Sequence, residues 1–78
     1  MTAKETYESI LMKTFMINKE DVETASTKNV QAWDSVGKLS LVTELEEAFD
    51  IELETEDIIG FNSYQEGLAI LRKYNIEL

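Results

Sequence analysis

An apolar stripe at helical spacing over residues 36–49 constrains the fold of this chain more than any other feature. Its members are Val36, Leu39, Val42, Leu45 (or Glu46) and Phe49, with Leu41 and Ala48 widening it. Apolar residues that recur every three or four positions predict an amphipathic α-helix. Asp34 or Ser35 is a suitable N-cap for it. The segment is therefore predicted to be a helix over about 36–49 that buries one face against other elements.

The N-terminal segment is predicted to be a helix over about 3–16. Thr2 and Glu5 have the spacing of a capping box, in which each side chain bonds the backbone of the other. Residues 17–34 are mixed in polarity and rich in turn formers, so we predict a long loop there. Its apolar residues are expected to pack onto the core, and they are Ile17, Val22, Val30 and Trp33.

The C-terminal third is predicted to contain two more helices. Thr55 is the expected cap of a short helix over about 56–60. Ser63 and Glu66 have capping-box spacing and are expected to open a helix over about 64–74.

The predicted elements define the fold class. Ile51 and Leu53 alternate with acids as in a strand, but a single isolated strand has nothing to pair with. The sequence therefore predicts one all-α domain over 1–78, a small four-helix bundle with a long first loop and a short third helix. The expected core positions are Ile10, Leu11, Phe15, Leu39, Val42, Leu45, Phe49, Leu68 and Leu71.

Composition excludes several classes of chemistry. The 78 residues contain no Cys and no His, which removes thiol nucleophiles, thiolate or imidazole metal ligands and His-based acid–base catalysis. A chain this short also leaves few residues for the walls of a catalytic cleft. We therefore expect a protein that is not an enzyme and binds no metal. No signal peptide or membrane-spanning stretch is visible, so a cytoplasmic location is expected.

Negative charge is concentrated in one segment. The net charge is −9, and in residues 35–58 Lys38 stands against eight acids, a net −7. Such a segment repels nucleic acid and complements a basic protein surface. The acids predicted to dock partners are Glu44, Glu47, Asp50, Glu56 and Asp57. The alternatives are a solvated helix face or a calcium site, although the residue order of an EF-hand loop is missing.

Ser35 at the start of this segment allows two interpretations. A serine before an apolar helix is most often only its N-cap. The free N–H groups and the dipole of a helix N-terminus also favour an anion, so the position suits a carried phosphodiester. Nucleophilic catalysis by Ser35 is disfavoured because the chain has no His to take its proton.

The stretch Asp34-Ser35-Val36, followed by GKLSLVTELEEAFDIEL, resembles the acyl carrier proteins. Their signature is Asp-Ser-Leu, then a hydrophobic helix ending in Leu-Glu-Glu-x-Phe and an Ile-x-Ile-like exit; Val36 stands here for the Leu. The resemblance extends over the whole chain in length and helix order. It implies that Ser35, flanked by Asp34 and Val36, carries 4'-phosphopantetheine through a phosphodiester. A phosphopantetheinyl transferase would attach this arm from coenzyme A.

The resemblance also implies a function and partners. The arm would hold acyl groups as thioesters for acyl-loading and acyl-transferring enzymes with basic docking surfaces, and the chain itself is expected to be a monomer. Gly37, Lys38 and Ser40 replace the acidic or hydroxylated residues common in fatty-acid carriers, and Gln31-Ala32-Trp33 replaces a Leu-Gly turn. The resemblance as a whole implies a carrier for fatty acid, polyketide or lipid synthesis. The departures indicate a specialised carrier rather than the housekeeping one, for polyketide, lipid or surface-polymer synthesis or for an amino acid. The alternatives are a D-alanyl, other aminoacyl or peptidyl carrier, and an unmodified acidic helical interaction module.

Overall fold

The computed structural model describes residues 2–78 and shows a small all-α protein. Its five helices are α1 (Ala3–Phe15), α2 (Lys19–Val22), α3 (Ser35–Phe49), α4 (Thr55–Ile59) and α5 (Tyr64–Lys73). The described residues form no strand, and one isolated β-bridge joins Ser26 and Ser63. None of these helices has the length and apolarity needed to cross a membrane. The predicted all-α class is confirmed, and the four main helices begin and end within one residue of the predicted bounds.

Side-chain caps mark the starts of the three longer helices, α1, α3 and α5. Thr2 and Glu5 form both bonds of the predicted capping box at the start of α1. Ser63 Oγ accepts the N–H of Glu66 at the start of α5. The prediction that Thr55 caps α4 is wrong, because Glu54 is the N-cap residue and makes no side-chain cap bond. The first turn of α4 is closed instead by backbone bonds, in which the N–H groups of Asp57 and Ile58 donate to the Glu54 carbonyl.

The predicted loop between the first two long helices contains one helical turn. α2 is only four residues long, and Val22 at its end is almost fully buried. A single turn gains little from helix propensity, so its stability comes from packing of this residue. Two backbone bonds tie the rest of the loop to the start of α5, from Tyr64 N–H to the Ala25 carbonyl and from Thr27 N–H to the Asn62 carbonyl, each 2.9 Å long.

The core confirms most of the predicted apolar positions and corrects the phase of α3. Leu11, Phe15, Val42, Leu45 and Leu71 are buried, while Ile10, Phe49 and Leu68 are partly buried and pack against them. The prediction for Leu39 is wrong: its side chain is 59% exposed, and Val36 is 74% exposed. Leu41 is fully buried instead. The buried face of α3 therefore passes through residues 41, 42 and 45, and the N-terminal part of the apolar stripe faces solvent.

Aromatic residues form the centre of the core. Phe15 stacks on Trp33 with ring centroids 4.9 Å apart, and Tyr7 stacks on Tyr64 at 5.2 Å. Phe61 lies between the two pairs and contacts both Trp33 and Tyr7. The Trp33 indole N–H donates to the Phe61 carbonyl at 3.3 Å. Trp33 is thus the predicted core anchor, and it joins the end of the long loop to the segment that precedes α5.

Candidate functional site

Ser35 is the first residue of α3, and its side chain is exposed. The cap of this helix is Asp34, whose Oδ1 accepts the Gly37 N–H at 2.9 Å. Within residues 2–78 no protein group is hydrogen-bonded to the Ser35 hydroxyl. The structure therefore decides between the two candidate caps, and it leaves the serine hydroxyl free for another role.

The position of Ser35 is fixed by the residues around it. Trp33, two residues earlier, is buried and bonded to the backbone of Phe61. On the other side, Gly37 lies against the loop so closely that a Cβ would collide with the Ala32 carbonyl oxygen and lie 3.1 Å from the Phe15 ring. Glycine at this position weakens a helix by about 1 kcal/mol relative to alanine, but here it permits the close approach that presents Ser35 at the surface.

A groove of about 490 Å³ runs beside Ser35. Among the residues that line it are Ser35, Lys38 and Leu39 from α3, Ile58 and Ile59 from α4, and Asn62. Ile59 is 66% exposed, and Val36 and Leu39 on α3 are also exposed. These three side chains, called here the apolar rim, form the main exposed hydrophobic surface next to the serine. Large exposed apolar side chains that cluster in this way indicate a contact surface.

Lys38 lies in the same groove and makes unusual contacts for a lysine. Its Nζ donates to Asn62 Oδ1 at 2.7 Å and to the Ile59 carbonyl at 3.2 Å. No carboxylate of the described chain forms an ion pair with it. Lys38 therefore places a positive charge on neutral acceptors at the C-terminal end of α4, inside a segment that is otherwise acidic.

Four of the five predicted docking acids lie on the surface. Glu44 and Glu47 are exposed on α3, and Asp50 and Glu56 are exposed after α3 and on α4. Glu44 borders a shallow depression shared with Val36 and Leu39, and with Glu47 it also lines a second groove between α1 and α3. The exposed acids thus continue from the apolar rim along α3.

Asp57 differs from the other predicted docking acids. It is buried, with Oδ1 paired to Lys73 Nζ and Oδ2 accepting from the Tyr74 hydroxyl, both at 2.5 Å. The Tyr74 hydroxyl also accepts the Glu54 N–H at 3.0 Å. Asp57 is therefore a structural link between α4 and α5, and the set of docking acids is reduced to the other four.

The link shifts the ionisation of all three of its side chains. Hydrogen bonds from Lys73 and Tyr74 lower the pKa of the Asp57 carboxyl. The hydrogen bond to Asp57 raises the pKa of Lys73, and the hydrogen bond to the same carboxylate raises the pKa of Tyr74. Each shift favours an ionised Asp57, an ionised Lys73 and a neutral Tyr74. Both hydrogen bonds to Asp57 are therefore present at neutral pH.

Comparisons with known proteins assign no family to this chain. No protein-family model matches the chain, and no curated protein matches it in sequence. Over residues 2–78 no cluster of carboxylates has the arrangement needed to hold a metal ion. What the structure brings together is a free serine hydroxyl at a helix N-terminus, a neighbouring lysine, an apolar rim and an acidic surface.

Two parts of the site were not predicted from the sequence. The sequence places Ile59 in a short helix without a predicted face, and it gives no contact for Lys38. Two adjacent apolar residues on a five-residue helix carry no phase information, so the exposure of Ile59 depends on how the helix is packed. Lys38 did carry a signal, because it is the single cation among residues 35–58; its acceptors come from residues more than twenty positions away.

Proposed function

We propose that this protein is a carrier that holds acyl or aminoacyl groups as thioesters on a 4'-phosphopantetheine arm attached to Ser35. The observation that carries the proposal is the free, exposed hydroxyl of Ser35 on the first residue of α3, with Asp34 as the cap. A serine retained only for capping would accept a backbone N–H, as Ser63 does at the start of α5. Ser35 does not, and this favours a chemical role.

The groups around Ser35 fit a phosphodiester. The N–H groups of the first helical turn point out of α3 beside the serine, and Asp34 Oδ1 takes up only the one from Gly37. Lys38 adds a positive charge in the same groove. The Asp34 carboxylate opposes a second anion, but its bond to the Gly37 N–H partly offsets its charge. The backbone N–H groups and the Lys38 ammonium are the kinds of donor that bind phosphate oxygens at a helix N-terminus.

The arm would supply what the chain lacks. A chain without Cys has no thiol of its own, and the thiol at the end of phosphopantetheine forms thioesters that are reactive acyl donors. The protein's own residues hold the attachment oxygen at the surface, and they provide contacts for the visiting enzymes. Loading and transfer would be carried out by those enzymes, so the chain is proposed to have no catalytic activity itself.

The architecture supports this proposal. We assign α1, α3, α4 and α5 as the four helices of a carrier-type bundle, with α2 as an added turn in its long first loop. The buried aromatic cluster fixes the loop against the C-terminal half, and this sets the position of the serine. α4 remains a short element at the side of the Ser35 groove.

Partner enzymes are proposed to dock on the face that carries Ser35. The apolar rim would provide a small hydrophobic contact, and Glu44, Glu47, Asp50 and Glu56 would attract basic side chains around it. Charges at the edge of an interface mainly accelerate association and select partners, whereas buried apolar contacts slow dissociation. A surface of this kind suits brief encounters with several enzymes, including the phosphopantetheinyl transferase.

Intact mass spectrometry tests the proposal directly. The purified apo protein is incubated with coenzyme A, Mg²⁺ and a promiscuous phosphopantetheinyl transferase, beside a known carrier as positive control. We expect the mass of one arm to be gained by the wild type and by Ser40→Ala, and none by Ser35→Ala. Absence of any gain while the positive control is modified would refute the carrier proposal and favour the unmodified interaction module.

A further inference from the structure

α4 is held in place by one apolar side chain and by polar bonds. Ile58 is partly buried against the core, Asp57 is the one buried residue of the helix, and Ile59 at its end is largely exposed. From the middle of the helix Asp57 bonds to Lys73 and Tyr74 of the α5 region. At the C-terminal end Lys38 bonds to the Ile59 carbonyl. Because only Ile58 joins α4 to the apolar core, the position of this short helix also depends on these two polar contacts.

The second of these contacts lies beside the proposed attachment point. Ser35 and Lys38 are three residues apart on α3, and residues at this spacing are neighbours on a helix surface. Both line the groove that α4 closes on its other side. A group attached to the Ser35 oxygen would thus enter the space where the Lys38 ammonium now meets neutral acceptors.

We propose that Lys38 is a positioning residue that exchanges partners when Ser35 is modified. In the unmodified protein it holds the C-terminal end of α4 through the Ile59 carbonyl and Asn62 Oδ1. In the modified protein it pairs with the phosphodiester and releases both acceptors. The inference rests on the proposed attachment of the arm to Ser35, and it adds that attachment loosens the polar contact that Lys38 makes with the C-terminal end of α4.

The exchange is favourable on simple electrostatic grounds. A phosphodiester carries a full negative charge, whereas the acceptors of Lys38 are the neutral oxygens of Ile59 and Asn62. An ammonium and a phosphodiester attract each other as two opposite unit charges, an attraction that a neutral oxygen does not provide. Asp34 also lines the groove, but its carboxylate is present in both states and leaves this difference unchanged.

The cost of leaving the first set of partners is small. The Ile59 carbonyl also accepts from Asn62 Nδ2 at 3.1 Å, so it keeps a hydrogen bond when Lys38 moves away. Asn62 is only partly buried, and water can replace the ammonium at its Oδ1. No buried polar atom is therefore left without a partner by the exchange.

Nuclear magnetic resonance on matched apo and loaded samples tests the exchange. The variants are wild type, Lys38→Gln, which removes the charge, Lys38→Arg, which keeps it, and Lys28→Gln as an exposed lysine control. The signals are the Ile59 carbonyl ¹³C, the Asn62 side-chain amide and the ³¹P resonance of the arm. Intact mass of each sample establishes complete loading, and circular dichroism establishes the fold.

We expect loading to shift the Ile59 and Asn62 signals in wild type, Lys38→Arg and Lys28→Gln. In Lys38→Gln these signals should already lie near their loaded positions and move little. The ³¹P resonance should differ between wild type and Lys38→Gln at low salt and converge at high salt, because salt screens the ion pair. Identical loading shifts in Lys38→Gln and wild type, or no shift in fully loaded wild type, would overturn the inference alone. Absence of any mass gain would overturn the carrier proposal and this inference together.

Discussion

The Tyr64 hydroxyl donates a 2.7 Å hydrogen bond to Glu8 Oε2 inside the core, where Glu8 is only 8% exposed. Tyr7, stacked on Tyr64, donates its own hydroxyl to the Tyr64 carbonyl at 2.9 Å. Burial, with the Glu8 bond and charge, raises the pKa of Tyr64, so its hydroxyl remains a donor over the whole working range of pH. The pair joins α1 to α5 and gives a buried carboxylate its partner.

Tyr64→Phe is predicted to destabilise the protein more than Tyr7→Phe. The first change removes a bond to a buried carboxylate and lowers the free energy of unfolding by about 1.5–3 kcal/mol. The second removes a bond between neutral groups and costs about 0.5–1.5 kcal/mol. Urea unfolding of both variants measures the difference. Equal losses in the two variants would show that Glu8 gains nothing from its tyrosine partner.

The corrected phase of α3 gives a second prediction. Leu45→Ala removes a fully buried side chain and should lower the free energy of unfolding by about 2–5 kcal/mol. Leu39→Ala, one and a half turns earlier on the same helix, should change it by no more than about 0.5 kcal/mol, because this side chain is mostly in solvent. Thermal unfolding of the two variants compares them directly, and similar melting temperatures would contradict the burial pattern of α3.

The contact between Asp57 and Lys73 predicts a pH dependence of stability. The folded-state pKa of Asp57 is lowered, so its contribution is present above the unfolded value of about 3.9 and is lost as pH falls through the folded pKa. The pKa of Lys73 is raised, so its contribution is present below about 10.4 and is lost as pH rises through the folded pKa.

The free energy of unfolding of wild type and Asp57→Asn, measured by urea titration, tests this dependence. The free energy of unfolding of wild type should exceed that of Asp57→Asn by a constant amount between about pH 5 and 9, and this difference should shrink below about pH 4. Glu5→Gln is the comparison variant for a second carboxyl with a lowered pKa, because the pKa of Glu5 is lowered by its bonds to Thr2 in the first turn of α1, without any contact to Lys73. If this difference in the free energy of unfolding stayed the same in acid, the charge of Asp57 would not contribute to stability.

Local sequence signals were sufficient to predict four of the five helices, and they missed only the single turn of α2. The bonds that define their ends join residues three apart, as between Thr2 and Glu5 or between Asp34 and Gly37. Such bonds can be recognised from spacing alone. The cap of α4 was predicted wrongly because Glu54 makes no side-chain cap bond, so no residue type marks the start of that helix.

Features that depend on packing could not be predicted in the same way. Seven apolar residues of α3 cover more than one face, and only the position of the neighbouring helices decides that Leu41 is buried while Leu39 is exposed. The same holds for Asp57, which belongs to a run of acids in the sequence but meets Lys73 and Tyr74 across the fold. The sequence indicated Ser35 as a candidate attachment residue, whereas the free state of its hydroxyl required the structure.

Charge reversal at Glu47 is predicted to slow the association of partner enzymes. Glu47→Lys should lower the association rate with a phosphopantetheinyl transferase roughly threefold or more at low salt, and it should reduce the salt dependence of that rate. Glu20→Lys makes the same change in net charge at an exposed residue of α2 that lines none of the grooves beside α3. Stopped-flow measurements at several salt concentrations compare the two variants. If both slow association equally, overall charge rather than the α3 surface attracts the enzyme.

The last prediction separates attachment from capping at the start of α3. Because Asp34 is the cap, Ser35→Ala should lower the free energy of unfolding by no more than about 0.5 kcal/mol while loading from coenzyme A disappears. Ser63→Ala removes a serine that does cap a helix, and should cost about 0.5–2 kcal/mol while loading is retained. Urea unfolding and intact mass of both variants measure the two effects. The opposite pattern, with Ser35→Ala clearly destabilised and still loaded, would make Ser35 a cap and place any arm on another residue.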